Sequence, residues 1–504
     1  MCFEKDVLFP VRCSLNDYAN RNAFFIAEQY YSYAVFGQTI SKIRCAVHQL
    51  HSQEQVFGLA IHDDMETYAA IFALWMEGKA YVPLHPNQPL ERNLNIIEQV
   101  GLHHVIDSAD KSVYGKFDVI ESKSLVYEKD FLDEWAVTDD NALAYILFTS
   151  GSTGTPKGVT ISRRNVSAFM DSFWQTGIVI TEEDRCLQCF DLTFDVSVQS
   201  YLVALTRGAC LYTVPYGQVK YLVAAALMTE HQITFGAMAP SMLTYLRPYF
   251  DELDVHSLKA CILTAEACPL SLMEDWFACA KNVELYDFYG PTEATIYCTA
   301  YKLTRGGKNL SLNGIISIGK PLANVTAIII DEDYNVMPQG EKGELCVAGD
   351  QVTQGYWNNS EKNAASFFEK AIDGKIMRFY HTGDLCYIEQ DGNIMYSGRI
   401  DQQAKIQGFR VELGEIEYHA REFFNREKRV MAIAFQNDKD LTEIALFIES
   451  EPVDINPLER YMRGKMPHYM IPTRIVFEQA FPLNKSEKVD RNALKQKIVE
   501  LYGH

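Results

Sequence analysis

Short apolar runs alternate with longer amphipathic stretches over most of the chain, and the two patterns predict different elements. Residues 63–78 open on Asp63, place apolar residues at helical spacing and close on Gly78, the signature of a capped helix. Residues 89–101 read the same way, with proline in the first turn and glycine at the end. A short strand over 104–107 follows. Further on, 219–231, 233–238, 241–250, 260–264, 270–280 and 283–288 alternate helix and strand. That rhythm predicts an α/β fold with doubly wound, largely parallel sheets, in which ligands gather at the carboxyl ends of strands. Past residue 400 the rhythm changes. Strands are expected over 429–435, 443–449 and 474–477, and helices over 456–466 and 491–502, a compact α+β unit. The polar, glycine-bounded stretch 398–408 is the expected linker. The chain is thus expected to divide into a large N-terminal domain, 1–399, and a small mobile α+β C-terminal domain, 400–504, acting as a catalytic lid.

Length and charge narrow the function classes. At 504 residues the chain exceeds one ordinary core. A formal charge of −20 argues against a nucleic-acid partner, which needs a basic face. It leaves room for a nucleotide held by a few local cations. No run of about 18 uncharged apolar residues occurs, so no membrane span is expected. The start, MCFEKDVLFP, lacks the apolar stretch of a secretory signal, and a cytoplasmic protein is expected. The twelve cysteines show no repeating pattern. Cys186-x-x-Cys189 lacks the second pair or the nearby histidines of a zinc site, so buried free thiols are expected there.

The sharpest local signal follows the apolar strand 143–148: Thr149-Ser150-Gly151-Ser152-Thr153-Gly154-Thr155-Pro156-Lys157-Gly158. Glycines let a backbone curl around an anion and point N–H groups inward. The hydroxyls add donors and Lys157 adds a charge. A flexible Ser/Gly linker would have the same composition, but this stretch lies between two apolar strands. A nucleoside-triphosphatase loop requires glycine before the lysine and Ser or Thr after it; here Pro156 and Gly158 occupy those places.

The string TSGSTGTPKGV resembles the phosphate loop of the adenylate-forming superfamily, which includes acyl-CoA synthetases, luciferases and amino-acid adenylation domains of peptide synthetases. Further blocks that resemble the same superfamily follow in order: YGPTEAT, GELCVAGDQVTQGYW, YHTGDL, GRIDQQAKIQGFRVELGEIE and KVDR. Together they cover nearly the whole chain. The resemblance implies an ATP- and Mg²⁺-dependent ligase. Thr149, Ser150, Gly151, Ser152, Thr153, Gly154 and Lys157 would cradle the phosphates. Tyr289 would stack on adenine, Thr292 would touch the α-phosphate, and Glu293 would hold Mg²⁺, a hard cation that prefers carboxylate and phosphate oxygens. Asp384 would accept both ribose hydroxyls with its two oxygens. Arg399 would lie near the ribose, Asp401 at the hinge, and Lys405 would serve the second half-reaction. Lys488 corresponds to the near-terminal catalytic lysine that bridges carboxylate and phosphate. Glu487 stands before it where relatives have glycine, and Lys485 is a competing candidate.

The acid being activated is read from the acceptor pocket. In relatives that activate amino acids, an aspartate at the position of Asp195 receives the α-ammonium group. Enzymes for fatty or aryl acids generally lack it, since an unpaired buried carboxylate is costly. Asp191, in the preceding Phe-Asp pair, competes for that register. Carried over singly, Val196, Gln199, Ala237, Ile262, Thr264, Phe288, Ile296 and Tyr297 are expected to line the side-chain cavity. Bulky Phe288 and Tyr297 favour a small amino acid, with Gln199 and Thr264 leaving room for serine. Ala265 replaces a glycine of the family pattern. The chain runs to His504 soon after KVDR, so a separate phosphopantetheinylated carrier protein is the expected partner. The resemblance extends to D-alanine–carrier-protein ligases and to standalone nonribosomal peptide synthetase adenylation domains. The alternative is an acyl-CoA synthetase acting on a carboxylic acid and CoA.

Overall fold

A computed structural model describes residues 1–151, 154–401, 403–483 and 489–502. Ser152, Thr153, Lys485, Glu487 and Lys488 lie outside the described residues. Two mixed sheets form the large N-terminal part. The seven-stranded one is ordered Gly355–Tyr356, Lys157–Ser162, Leu143–Thr149, Ala80–Leu84, Val56–Ala60, His104–Asp107, Asp118–Glu121. The nine-stranded one has a parallel centre, Glu284–Tyr289, Ala260–Thr264, Phe235–Met238, Arg185–Gln188, Cys210–Thr213 and Asn22–Ile26, with antiparallel strands at both edges. Helices Met65–Met76 and Asp195–Leu205 are buried along almost their entire lengths. Helices buried all round lie between layers: Tyr68 meets Phe24 of the nine-stranded sheet, and the Tyr201 hydroxyl meets that of Tyr81 in the seven-stranded one.

A five-stranded antiparallel sheet follows, built on the long strand Lys375–Ile388. The C-terminal part then forms a three-stranded sheet, Val430–Gln436, Thr442–Glu449 and Arg474–Glu478, flanked by helices Leu413–Phe423, Asn456–Arg463 and Arg491–Tyr502. It has an apolar core of its own, including Ile416, Val430, Leu446 and Met462.

One sequence expectation gains detail and one needs correction. The stretch 398–408, expected as the linker, is largely paired backbone. Ile394–Arg399 continues the five-stranded sheet, and Gln403–Ile406 pairs with Phe409–Glu412 as a hairpin. Gln407 and Gly408 both have positive φ, 50° and 81°, which a two-residue hairpin turn with native twist demands. The expected helix over 241–250 ends early. Pro240–Leu246 gives way to a 3₁₀ turn, Arg247–Glu252, as Pro248 supplies no N–H.

No helix among the described residues is long and apolar enough to cross a membrane. All twelve cysteines are free. Cys186 and Cys189 are buried, and burial pushes both thiols up.

Candidate active site

Strand Leu143–Thr149 delivers the glycine-rich loop to the face where the hairpin 403–412 arrives from the C-terminal part. Gly151 admits no side chain, because a Cβ there would lie 2.0 Å from the Thr155 carbonyl oxygen. Gly154, at φ 79°, lies against the Tyr418 ring. The loop's donors face the C-terminal part. Gly151 N–H donates to Glu415 Oε2 (3.0 Å), and Lys157 Nζ donates to Glu412 Oε1 (3.0 Å). Ser150 Oγ donates to the Arg410 carbonyl (3.1 Å) and accepts from the Glu412 N–H (3.0 Å). Burial pulls the Lys157 ammonium below the usual lysine range and Arg410 adds to this, with Glu412 opposing.

The residues assigned to the nucleotide converge on the end of strand Glu284–Tyr289. Thr292 and Glu293 lie on the short turn after it. The Tyr289 hydroxyl donates to Asp384 Oδ2, and Arg399 Nη1 reaches Asp384 Oδ1 at 2.8 Å. Arg399 also grips Asp401 at 2.6 Å. Lys405 Nζ sits 5.3 Å from the centre of the Tyr289 ring. Burial lowers its pKa, and Asp384 opposes the shift. Burial alone would raise Glu293; the Arg410 guanidinium and Lys157 outweigh it and hold the carboxyl at about 2. Glu293 Oε2 is 2.8 Å from Arg410 Nη1, and Oε1 accepts from the Tyr356 hydroxyl at 2.7 Å. Its carboxylate oxygens are the hard donors that Mg²⁺ prefers, although Arg410 and Tyr356 take both of them in this structure.

Asp195 opens helix Asp195–Leu205 and faces the Thr292 hydroxyl and the Ile296 backbone. Its Oδ2 is buried without a hydrogen-bond partner among the described residues. Burial pushes its carboxyl up to about 6, the Thr292 hydroxyl opposing and the charge of Glu293 adding. Asp191 is different. It pairs with His85 Nε2 at 2.6 Å and accepts from the N–H and hydroxyl of Thr193, so its oxygens are occupied. The Asn87 N–H donates to His85 Nδ1, which leaves Nε2 as the donor to Asp191.

Val196, Gln199, Ala237, Ile262, Thr264, Phe288, Ile296 and Tyr297 are all buried. The Phe288 and Tyr297 rings meet edge to face at 5.2 Å, and the Tyr297 hydroxyl donates to Gln199 Oε1 at 3.3 Å. The Gln199 Nε2 lacks a partner among the described residues. With the hairpin seated, a cavity of about 60 Å³ remains, lined by Asp195, Thr264, Tyr289, Ile296 and Lys405 among others. Ile296 has φ 74°, a strained value for a β-branched residue, of the kind that clusters at functional sites.

Ala265 lies in the left-handed region at φ 71°. That backbone costs about 1–2 kcal/mol for a residue with a Cβ. Glycine forfeits about 0.4–1 kcal/mol through its freer unfolded chain. Ala265→Gly is therefore expected to stabilise the protein by roughly 0.5–1 kcal/mol, read as a higher denaturation midpoint. An unchanged or lower midpoint would contradict the strain.

Arg410, Glu412, Glu415 and Arg92, which pairs with Glu415 at 2.7 Å, are absent from the residues read from sequence. The alternation in QAKI and FRVE around Gln407-Gly408 is a hairpin signal that could have placed the first two. Glu344, Cys346 and His381 form the cluster of metal-ligand type among the described residues. Both Glu344 oxygens are in use, one accepting from His381 Nδ1 and the other from the Gly383 N–H, so the group anchors the turn before Asp384.

Residues 12–357, more than half of the chain, match the AMP-binding enzyme family. The chain belongs to this family. Zwittermicin A synthase ZmaJ of Bacillus cereus is 32% identical, over 90% of this chain and 87% of that protein. Tyrocidine synthase 1 of Brevibacillus parabrevis is 30% identical over 88% of this chain, which spans 40% of that protein. The chain spans only 10% of gramicidin S synthase 2 of Brevibacillus brevis, at 31% identity over 88% of this chain. The Vibrio cholerae adenylation domain AlmE, solved with glycyl-adenosine-5'-phosphate, shares the fold with a TM-score of 0.84 at 22% identity, over 98% of this chain and 97% of that one. Holo-PA1221, containing adenylation and PCP domains, gives 0.85 at 20% identity, over 97% and 84%. As an AMP-binding enzyme the chain is an adenylate-forming ligase, with its large N-terminal and smaller C-terminal parts arranged as in solved adenylation domains.

Proposed function

We propose that this AMP-binding enzyme activates a small amino acid with ATP and Mg²⁺ and passes the aminoacyl group to the phosphopantetheine thiol of a separate carrier protein. The observation that carries this reading is the unpartnered, buried Oδ2 of Asp195 beside a small pocket. A buried carboxylate without a partner is costly, and an α-ammonium group supplies the missing charge. AlmE, crystallised with a glycyl adenylate, is a structural neighbour consistent with a small side chain.

In the first step a carboxylate oxygen attacks the α-phosphorus while the bond to the β-phosphate breaks and pyrophosphate leaves. Mg²⁺, when bound, neutralises charge on that leaving group, and Glu293 is the residue that would hold it. Lys157 and the loop N–H groups draw the phosphates in, and Asp195 fixes the amino end. In the second step a thiolate attacks the acyl carbon and the bond to AMP breaks. A cleft of about 900 Å³ between Ser241–Glu266 and the C-terminal part, reaching Lys405 and Gln407, suits the arm of a carrier.

Amino-acid-dependent exchange of ATP with labelled pyrophosphate, across a panel of amino and fatty acids, tests the reading. Exchange with glycine, alanine or serine is expected. A fatty acid as the best substrate would overturn it. Tyr297→Ala removes one of the two packed rings and is expected to shift preference toward larger side chains, since packed walls reject added methylenes. A wild-type preference for leucine or phenylalanine would contradict the small pocket.

A further inference from the structure

Behind one wall of the small pocket, a fully buried glutamine grips the backbone from which that wall projects. Gln351 lies in the loop after strand Gly343–Gly349. Its Nε2 donates to the Tyr297 carbonyl at 2.6 Å and lies 3.4 Å and 3.5 Å from the carbonyls of Ala294 and Thr295. Thr295 Oγ1 donates in return to the Gln351 carbonyl at 2.5 Å. Two residues on, the Thr353 N–H donates to the Glu293 carbonyl at 2.9 Å. The loop is itself fixed to a helix. Asn165 Nδ2, on helix Arg163–Trp174, donates to the carbonyls of Asp350 (2.8 Å) and Val352 (3.2 Å), on either side of Gln351.

What Gln351 grips is strained. Thr295 and Ile296 have φ 55° and 74°, two successive β-branched residues in the left-handed region. Such backbone persists only where its surroundings over-determine it. The turn also packs closely on its other side, where a Cβ on Gly290 would lie 2.4 Å from the Ile296 carbonyl oxygen. Ile296 lines the cavity beside Asp195, and the Tyr297 ring packs on Phe288. We propose that Gln351 is a positioning residue that sets the size selectivity of the substrate pocket from behind, by holding the turn Thr295–Ile296 and so the Ile296 and Tyr297 walls. Without its donor the Tyr297 carbonyl is left buried and unpaired, and the turn relaxes toward ordinary φ, carrying both walls with it. That the pocket takes an amino-acid side chain rests on the proposed function; the grip on the turn needs no substrate.

Gln351→Met in the full chain keeps the side chain's length and removes its donor. In pyrophosphate exchange, the ratio of kcat/KM for the preferred small amino acid over leucine is expected to fall at least roughly tenfold. A merely structural role would lower the active fraction for every substrate alike and leave that ratio where it was. Hydrogen exchange of the free protein gives a second readout. The Tyr297 and Cys298 amides, bonded to the Thr295 and Tyr289 carbonyls, are expected to exchange at least roughly tenfold faster in the variant. Amides of helix Met65–Met76 are expected to keep the wild-type rate. An unchanged ratio would overturn the proposal, and so would unchanged exchange at 297 and 298. If Gln351→Met does not fold, Thr295→Val, which removes only the hydroxyl bond to the Gln351 carbonyl, carries both readouts. It is expected to move them in the same direction by about threefold, and no movement there would overturn the proposal equally. A wild type that prefers a fatty acid would sink the proposed function, while hydrogen exchange would still decide whether Gln351 holds the turn.

Discussion

Asp195→Ala is expected to abolish amino-acid-dependent pyrophosphate exchange. Removing one partner of a buried ion pair costs about 3–5 kcal/mol, roughly 10²- to 10⁴-fold in kcat/KM. Des-amino acids are expected to become comparatively better substrates. Because burial holds the Asp195 carboxyl at about 6 in the free protein, the ammonium-binding carboxylate forms as pH rises through that value. The KM for the amino acid is therefore expected to climb below about pH 6 and to flatten above it, and Asp195→Asn is expected to lose that inflection. Asp191 is the control, since His85 and Thr193 already occupy it. A harmless Asp195→Ala beside an inactive Asp191→Ala would relocate the ammonium site.

Lys488→Ala is expected to slow adenylate formation by at least roughly 10²-fold, the scale for losing one preorganised partner of developing charge. Carboxylate attack on a phosphate crowds two anions together, and a bridging ammonium offsets that. Transfer from pre-made aminoacyl-adenylate to a thiol is expected to suffer far less, since the phosphoryl charge is then already placed. The two steps are separated by pyrophosphate exchange and by the mass of the loaded carrier. Full exchange in Lys488→Ala with none in Lys485→Ala would move the assignment by three residues.

The parts of the fold governed by local pattern were legible in the sequence. The helix Met65–Met76, capped by Asp64 rather than by the expected Asp63, and the alternation from Phe235 to Tyr289 follow from apolar spacing and from glycine and proline punctuation. The glycine-rich loop was legible because its curl needs residues without a Cβ, as Gly151 shows. The hairpin 403–412 left its alternation in the sequence, but what it docks against was not legible. Gln403, Lys405, Arg410 and Glu412 carry the polar composition of a solvated linker, yet Glu293 and Lys157, the partners of Arg410 and Glu412, lie far away in the chain. Charge pairs formed only on tertiary closure leave no periodic trace. The same holds for His85 and Asp191, whose pairing needs the two sheets to be assembled first.

The seam between the two parts combines one exposed ion pair, Lys465–Glu91, with the enclosed pairs Lys157–Glu412, Arg92–Glu415 and Arg410–Glu293. Simple salt screens exposed charges over about 10 Å at 0.1 M and buried ones far less. Raising ionic strength thus loosens the rim of the seam and spares its centre. The enclosed pairs therefore keep the two parts joined at salt concentrations that already silence the rim.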